Sequence, residues 1–299
     1  MKRSSSIPNW SNTSNVPENL LNLGPSQQDA IIGIVRAAAR DCILPRFQRL
    51  AAADISTKSG PSDLVTLADT QAEAQMTAAL RTLLPSAVVV GEEAIAADPT
   101  LRGQIGGAEL AVILDPVDGT WNFAKGLPLF GVILAVTVRG APVMGLLYEP
   151  IMDDWIVATA DGPALLVMAD GTAHRLRTSD QVKPGAMVGY VPLGLMSRKH
   201  REGMMTQFPD FGRITSLRCA CHEYRMVAQG HAEFTLSGPT PHAWDHAAGV
   251  LCVQRAGGVA RMLDGRDYDA GITRGYVLSA GSGAAWDKLA KRFGFLQNA

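Results

Sequence analysis

An apolar run that ends abruptly in two carboxylates, at residues 111–118, limits the folds that are open to this chain. Its β-branched residues favour a buried strand, and Pro116 holds the preceding Asp115 in the extended region, so the strand ends and the chain turns there. Asp118 then lies close to Asp115. Two carboxylates without a neighbouring lysine or arginine repel each other unless a hard divalent cation binds between them. The segment therefore predicts a strand that delivers oxygen ligands to a metal ion.

Two other acidic positions fit the same hypothesis. Glu92 and Glu93 follow a second β-branched run at residues 87–90, and Asp245 opens a predicted helix after Trp244. Each feature has an ordinary alternative: Asp-Pro-x-Asp-Gly is a good turn, Glu92 alone suits a solvated loop, and Asp245 alone suits a helix N-cap. Acids that converge from separate parts of the chain on one ion or ion cluster would explain all of them together.

Gly119 and Thr120 follow the paired aspartates, at the predicted start of a short helix. Unpaired backbone N–H groups at a helix start point toward an anion, and the helix dipole favours negative charge there. The sequence thus predicts a site suited to phosphate beside the metal site.

Composition indicates a folded protein without a strong general charge. Of 299 residues, 47% are apolar and 18% are charged, which excludes bulk disorder, collagen and coiled coil. The 27 basic and 28 acidic residues leave a formal charge of −1, so we expect neither a nucleic-acid partner nor a membrane partner. The longest apolar runs span about ten residues, against roughly 20 for a membrane helix. Four cysteines without an export signal are expected to stay reduced in the cytoplasm.

The chain divides into three predicted parts. Residues 1–28 carry a Ser/Asn/Pro bias and are expected to form a disordered polar arm. Residues 29–183 are expected to form an α+β half that holds the metal site, with a first helix capped by Asp29 and an antiparallel meander over residues 131–160. Residues 184–299 alternate strand and helix, which predicts a C-terminal α/β half. The fold class is therefore α/β (α+β).

Three stretches resemble, in order, the signatures of the inositol monophosphatase family. They are Gly91-Glu92-Glu93, Asp115-Pro116-Val117-Asp118-Gly119-Thr120-Trp121-Asn122-Phe123 and Trp244-Asp245-His246-Ala247-Ala248-Gly249. The segment from Lys58 to Asp69 resembles that family's mobile active-site loop and the aspartate after it. The resemblance runs from about residue 29 to the C-terminus. It implies a layered α-β-α-β-α sandwich of the inositol monophosphatase and fructose-1,6-bisphosphatase type.

The resemblance also implies ligands for two or three Mg²⁺ ions. Glu92, Asp115 and the carbonyl of Val117 would bind the first ion. Asp115, Asp118 and Asp245 would bind the second, so that one carboxylate bridges the pair. Glu92 would also support a third, weaker site.

The implied activity is Mg²⁺-dependent hydrolysis of a small phosphate monoester by metal-activated water. Thr120, paired with Asp69, would position or activate that water, and Glu93 would orient water around the third ion. Lys58 and Asp63 would lie on the loop that closes over the metals. Relatives are commonly homodimers, and the resemblance implies inhibition by Li⁺. The substrate would be contacted by Gly119, Thr120, Asp118 and Asp245.

The sequence departs from the family where the alcohol of the substrate binds. Relatives that take inositol phosphates usually carry a glutamate seven residues before the equivalent of Asp245, where this chain has Gly238, or Ser237 with a one-residue insertion. Arg218 replaces a small residue there, and it is either a surface residue or a contact for an anionic substrate group, since its fork suits phosphate and carboxylate. Inositol monophosphate or a related sugar or polyol phosphate is the leading substrate. Histidinol phosphate, fructose-1,6-bisphosphate, a nucleotide 3′-phosphate and a non-catalytic regulatory role stay open.

Other metal-type residues have simpler interpretations. Cys219-Ala220-Cys221-His222 has no second Cys/His pair to match it, so a zinc site is not expected. His242 and His246 flank Asp245, and histidines at a helix start are expected to be solvated, with support of the metal ligands as the alternative.

The variants Asp118→Asn and Asp245→Asn test the metal hypothesis. Each is expected to lower phosphate release at least ~100-fold, because an amide removes the anionic oxygen that a divalent cation requires. The thermal unfolding midpoint, followed by circular dichroism, is expected to stay within a few degrees of wild type. Near-normal turnover in either variant would contradict the two-metal hypothesis.

Overall fold

The structure, a computed structural model, describes residues 23–61 and 63–297. Its α-helices are α1 (Pro25–Ala38), α2 (Leu67–Leu83), α3 (Glu92–Ala97), α4 (Gly103–Gly107), α5 (Thr120–Ala124), α6 (Arg198–Gln207), α7 (Ala220–Ala228), α8 (Ala243–Arg255) and α9 (Gly283–Phe293). Its strands are β1 (Ile55–Gly60), β2 (Asp63–Thr66), β3 (Val88–Gly91), β4 (Ala111–Asp118), β5 (Gly131–Val138), β6 (Ala141–Glu149), β7 (Asp154–Thr159), β8 (Leu165–Val167), β9 (Ala173–Arg175), β10 (Val188–Tyr190), β11 (Arg213–Thr215), β12 (Phe234–Leu236), β13 (Val259–Met262) and β14 (Val277–Ala280). Within the described residues, no helix is both long enough and apolar enough to cross a bilayer.

Strands β3 to β9 form one seven-stranded sheet in chain order. Strands β3 and β4 are parallel and every later pair is antiparallel, so the predicted meander is confirmed. The central strands are buried on both faces, which is why their sequences read as continuous apolar runs. Side chains alternate between the faces: Ile113 and Ile133 pack on one side, and Leu114 and Leu134 pack on the other.

A second sheet has the strand order β11-β10-β12-β14-β13. Strand β10 is parallel to β11 and β12, and β14 is antiparallel to both of its neighbours. The sequence predicts β10, β11, β12 and β14 to within a few residues but misses β8, β9 and β13. All of these strands have three or four residues, and the missed β9 is exposed along its whole length, so it has no apolar run that would predict it.

Three hydrophobic cores fill the four interfaces between five layers, because the middle core spans two of them. The first core lies between helices α1 and α2 and the larger sheet. The second joins that sheet to α7 and α8, which also pack on the smaller sheet, and the third joins the smaller sheet to α6 and α9. The order helix, sheet, helix, sheet, helix confirms the predicted α-β-α-β-α sandwich. The division into halves at residues 29–183 and 184–299 stays a prediction.

The first helix begins earlier than the sequence predicts. Its N-cap is Gly24 rather than Asp29, and Pro25 occupies the first helical position, where a fixed φ and a missing N–H are both tolerated. The side chain of Gln27 accepts a hydrogen bond from Gly24 N–H at 3.2 Å. The predicted arm over residues 1–28 lies mostly outside the described residues, and the part from Pro25 onward is helical.

Helix α8 lies directly on the larger sheet. A β-carbon on Gly145, in β6, would lie 2.6 Å from the carbonyl oxygen of Ala248 and 3.0 Å from its α-carbon. Glycine therefore allows the backbone of the strand and that of the helix to touch. This contact sets the depth at which α8 presents its first turn, which carries Asp245.

The substitution Gly145→Ala is expected to destabilise the protein by about 2 kcal/mol, because neither backbone can withdraw without opening a packed core. Gly33→Ala, in α1, is the matched control. A β-carbon on Gly33 meets no atom within 4 Å, and alanine is favoured over glycine within a helix by about 1 kcal/mol. Urea unfolding curves measure both changes, and equal stability of the two variants would contradict the close approach.

Candidate active site

Strand β4 ends in an irregular turn that carries two predicted metal ligands. Its pairing with β5 shifts register between Asp115 and Asp118, around Pro116, which has no N–H to donate to the ladder. The Asp115 carboxylate turns back to accept a hydrogen bond from Val117 N–H at 3.1 Å. Both aspartates are buried, with 2% and 8% of their surface exposed. The turn thus holds two carboxyl groups inside the protein.

Asp245 joins this pair from helix α8. It lies in the first turn of the helix, after the N-cap His242. One carboxylate oxygen from each of Asp115, Asp118 and Asp245 lies within 4.8 Å of the other two. We call these three residues the aspartate cluster. The structure brings them together although they come from different layers of the fold.

Burial and mutual repulsion disfavour the charged form of the aspartate cluster. Burial raises the pKa of Asp115 and Asp245 well above the usual range, and neighbouring carboxylates raise it further. Burial also raises the pKa of Asp118, but only to about 6, because hydrogen bonds from Cys219 and Cys221 favour its charged form. A hard cation would offset this repulsion with the oxygen ligands that it prefers. A donor set made of carboxylates therefore fits Mg²⁺.

The two cysteines hold Asp118 in place. Its Oδ2 accepts hydrogen bonds from Cys221 N–H at 2.6 Å and from the Cys219 thiol at 3.0 Å. Burial raises the pKa of both thiols well above the usual range, so they stay protonated and act as donors. The sequence alone does not reveal this role, because Asp118 and Cys219 are 101 residues apart and leave no local pattern.

Glu92 and Glu93 begin α3, directly after β3, beside the end of β4. The Lys58 ammonium, on β1, lies 2.7 Å from an oxygen of each glutamate. Burial and the charge of Glu92 raise the pKa of Glu93 to about 8, and Lys58 opposes that rise. Glu92 lines the same pocket as Asp118 and Asp245. The Lys58 ammonium therefore forms its ion pairs with Glu92 and Glu93 and not with the aspartate cluster.

Glu73, on α2, fixes the start of α3. Its buried carboxylate accepts hydrogen bonds from the N–H groups of Glu93 and Ala94, at 2.8 Å each. The close approach needs glycine, since a β-carbon on Gly91 would lie 2.2 Å from the Glu73 carboxyl carbon. Glu73 is not among the site residues that the sequence predicts. Its place four residues after Asp69, on the same helix face, was the available signal.

Thr120 and Asp69 are in contact. Thr120 Oγ1 lies 3.1 Å from Asp69 Oδ1 and 2.9 Å from the carbonyl oxygen of Val117. The other oxygen of Asp69 accepts hydrogen bonds from the N–H and hydroxyl groups of Thr66. Burial raises the pKa of Asp69 to about 6, and the bonds from Thr66 oppose a larger rise. The role of this pair in activating water stays a prediction.

Gly119 makes the turn between β4 and α5. Its φ of +86° lies in the region that favours glycine, and a β-carbon there would lie 3.0 Å from the carbonyl oxygen of Leu129. Asp118, Gly119 and Thr120 all line the pocket. The tight turn thus brings backbone and side chains to the same surface as the carboxylates.

The segment predicted as a mobile loop is a β-hairpin. Strands β1 and β2 pair antiparallel, with a register shift between Thr57 and Gly60. Lys58 reaches the glutamate pair from this hairpin, and Asp63 lines the pocket together with Pro61. Both residues that the sequence analysis assigned to the loop therefore lie at the site.

Arg218 lies exposed at the mouth of the pocket. Its guanidinium carbon is 4.3 Å from the centre of the Trp121 ring, and its backbone has a φ of +54°. The two interpretations of Arg218 do not exclude each other, because the side chain is on the surface and also lines the pocket.

The expectation that His242 and His246 are solvated is wrong. His242 stacks on Trp244 with ring centres 4.4 Å apart, and His246 Nδ1 lies 3.1 Å from the hydroxyl oxygen of Tyr224. Burial lowers the pKa of His242 to about 4 and that of His246 to about 3, so both rings are neutral at pH 7. The start of α8 is packed between other elements, which the sequence of one helix does not reveal.

One pocket of about 1050 Å³ is lined by seven of the predicted site residues, namely Asp63, Glu92, Asp118, Gly119, Thr120, Arg218 and Asp245. The parallel strands β10, β11 and β12 supply part of its wall, through residues at or just beyond their carboxyl ends. The carboxyl ends of parallel strands are the usual place for a ligand in such sheets. Fold and site together define a class: a layered α/β protein with a buried carboxylate site of the kind that binds metal and phosphate.

Comparison with known proteins identifies the family within that class. The inositol monophosphatase family matches the chain over residues 27–296. The chain therefore belongs to the inositol monophosphatase family, a family of metal-dependent phosphatases.

Some relatives are named as inositol monophosphatases and others as Nus factors. An inositol-1-monophosphatase of Mesorhizobium japonicum is 30% identical over 213 residues, which cover 69% of this chain and 74% of that protein. The Nus factor SuhB of Haemophilus influenzae is 30% identical over 275 residues, which cover 86% of this chain and 93% of that protein. An IMPase structure from Thermotoga maritima has a TM-score of 0.74 at 23% identity, covering 91% of this chain and 98% of that one.

The raised carboxyl pKa values predict how stability depends on pH. A carboxyl group whose pKa is higher in the folded than in the unfolded protein stabilises the fold while it is protonated. This contribution to the free energy of unfolding is lost as the pH rises through the folded-state pKa. In EDTA, the thermal midpoint is therefore expected to fall as the pH rises from about 6.5, above which unfolded histidines are largely neutral, to about 8, the pKa of Glu93 in the folded protein; Asp115 and Asp245 act in the same direction. The buried histidines stay neutral throughout that range.

Millimolar Mg²⁺ is expected to reverse this fall, because the cation binds the charged carboxylates. The shift caused by Mg²⁺ should grow with pH and should be largely absent in Asp245→Asn, while wild type serves as the reference at each pH. Differential scanning calorimetry measures it, and equal midpoints with Mg²⁺ and with EDTA at about pH 8 would contradict the metal assignment.

Proposed function

We propose that the protein is a Mg²⁺-dependent phosphatase that hydrolyses a small phosphate monoester. The observation that carries the proposal is the contact between Thr120 and buried Asp69 beside the aspartate cluster. A hydroxyl paired with a buried carboxylate is suited to accepting a proton, which a purely structural metal site does not require.

Membership of the inositol monophosphatase family suggests which residues would hold the ions. Asp115, Asp118 and Asp245 would hold one Mg²⁺, and Glu92, Asp115 and the Val117 carbonyl would hold another. A third, weaker site at Glu92 would have its water oriented by the neighbouring Glu93. When bound, the ions neutralise the phosphate dianion and lower the pKa of water.

Thr120 would orient the attacking water. Its hydroxyl hydrogen lies between two acceptors, Asp69 Oδ1 and the carbonyl oxygen of Val117, so its lone pairs are available to accept a hydrogen bond from water. Asp69 is mostly charged at neutral pH, because its pKa is about 6. As water attacks phosphorus, its proton would pass to Thr120 Oγ1 while the threonine proton passes to Asp69.

The turn after β4 would bind the phosphoryl group. The N–H groups of Gly119 and Thr120 stabilise the negative charge that develops on phosphoryl oxygens, and such preorganised donors are a major source of rate enhancement. Asp118 and Asp245 would contact the substrate through the metal site. Arg218, at the mouth of the pocket, would contact a second anionic group of the substrate.

Several finer points belong to this proposal. The relatives' names support inositol monophosphate or a related sugar or polyol phosphate, with histidinol phosphate, fructose-1,6-bisphosphate and nucleotide 3′-phosphates as alternatives. We also propose a cytoplasmic homodimer that is inhibited by Li⁺. A regulatory, non-catalytic role is the alternative that a relative named as a Nus factor supports.

A phosphate-release assay over a panel of monoesters tests the proposal. Release is expected with Mg²⁺ and not with EDTA. Thr120→Val, which keeps the shape of the side chain, is expected to lower kcat at least ~100-fold, whereas Thr120→Ser retains the hydroxyl and most of the activity. Release that is undiminished by EDTA would contradict the metal mechanism, and no release from any ester would favour the regulatory role.

The same panel tests Arg218. Arg218→Ala is expected to raise KM about tenfold for fructose-1,6-bisphosphate, which carries a second anionic group, with little change in kcat. KM values that stay unchanged across the panel would place Arg218 outside the substrate contact.

A further inference from the structure

The smaller sheet and the segments next to it give the pocket an apolar wall. Beyond the carboxylate end, the lining comes from residues at or near the ends of β10, β11 and β12 and from the turn Leu193–Leu195. The apolar side chains of this wall are Val191, Leu193, Leu195, Phe208, Ile214 and Leu236. We call these six residues the apolar wall.

Two polar side chains that line the pocket beside the apolar wall support the backbone around it. Glu223 accepts hydrogen bonds from Leu217 N–H at 2.8 Å and from the Ser216 hydroxyl at 3.1 Å. Ser237 accepts one from Val277 N–H at 2.6 Å. Both side chains therefore hold backbone N–H groups next to the pocket.

Leu195 forms the outer end of the apolar wall. It lines the pocket although 68% of its surface is exposed. A β-carbon on Gly238 would lie 3.1 Å from Leu195 Cβ and 3.3 Å from its Cδ1. Glycine at position 238 thus leaves room for Leu195 to pack over this position. A longer polar side chain at position 238 would instead enter the pocket.

We propose that the alcohol of the substrate carries an apolar ring or chain that packs on the apolar wall. Covering Leu195 and its neighbours removes apolar surface from water, which favours binding. The pocket of about 1050 Å³ has room for such a group beside a phosphate. The inference rests on the proposed function, because it places the phosphate at the aspartate cluster, and it replaces a polyol with an apolar alcohol as the preferred leaving group.

Cyclohexyl phosphate and inositol 1-phosphate form a matched pair for the test, since both place a six-membered carbon ring on the phosphate. The KM of the wild-type protein with Mg²⁺ is expected to be at least about tenfold lower for cyclohexyl phosphate. Leu195→Asn is expected to reduce that difference at least about threefold. Leu127→Asn is the control, because Leu127 is 45% exposed and lies outside the pocket lining.

Calorimetric titration gives a readout that does not depend on turnover. Cyclohexylphosphonate, which is not hydrolysed, is expected to bind in the presence of Mg²⁺ with a more negative heat-capacity change than inorganic phosphate, because apolar surface is buried. The difference should shrink in Leu195→Asn and persist in Leu127→Asn.

The outcomes separate this inference from the function on which it rests. A KM that is equal or lower for inositol 1-phosphate, or equal heat-capacity changes for phosphate and cyclohexylphosphonate, would overturn the apolar alcohol and leave the phosphatase proposal standing. Absence of EDTA-sensitive phosphate release from every ester, together with absence of phosphonate binding, would overturn both.

Discussion

Repulsion among buried carboxylates is the constraint that the rest of the structure has to meet. Asp115, Asp118 and Asp245 lie within reach of one another, where burial and their own charges disfavour ionisation. Holding them there requires rigid support from several layers. The end of β4 supplies two of them, and helix α8, seated against β6 through Gly145, supplies the third. Free energy gained in the three hydrophobic cores offsets this cost until a cation binds.

The sequence predicts the site best where local chemistry defines it. Pro116 predicts the turn after Asp115, and the apolar runs predict the strands that end in acidic residues. Supporting contacts are different, because Cys219 reaches Asp118 and Glu73 reaches α3 across the fold; the first contact leaves no spacing to recognise, and the only signal for Glu73 is its spacing from Asp69. The same reason explains the buried histidines of α8 and the short strand β13, whose environments are set by packing between layers.

The two sheets contribute to different parts of the pocket. The larger sheet and its helices supply the carboxylates, the Thr120–Asp69 pair and the turn at Gly119, which in the proposed reaction would serve any monoester. The smaller sheet and its connections supply the apolar wall, which would meet the alcohol. Membership of the family therefore fixes the reaction class more firmly than the substrate, because a fold supports several substrates through changes in one wall.

Helix α2 works as a rigid spacer between two parts of the site. Asp69, which contacts Thr120, and Glu73, which anchors the helix of Glu92 and Glu93, lie on it four residues apart, a rise of about 6 Å along the axis. Because Asp69 and Glu73 lie on the same helix, a translation or rotation of α2 displaces both side chains together. An insertion of a single residue between them would turn one side chain off the shared face by about 100°, so this stretch of the chain tolerates changes of length far less than the connections around it.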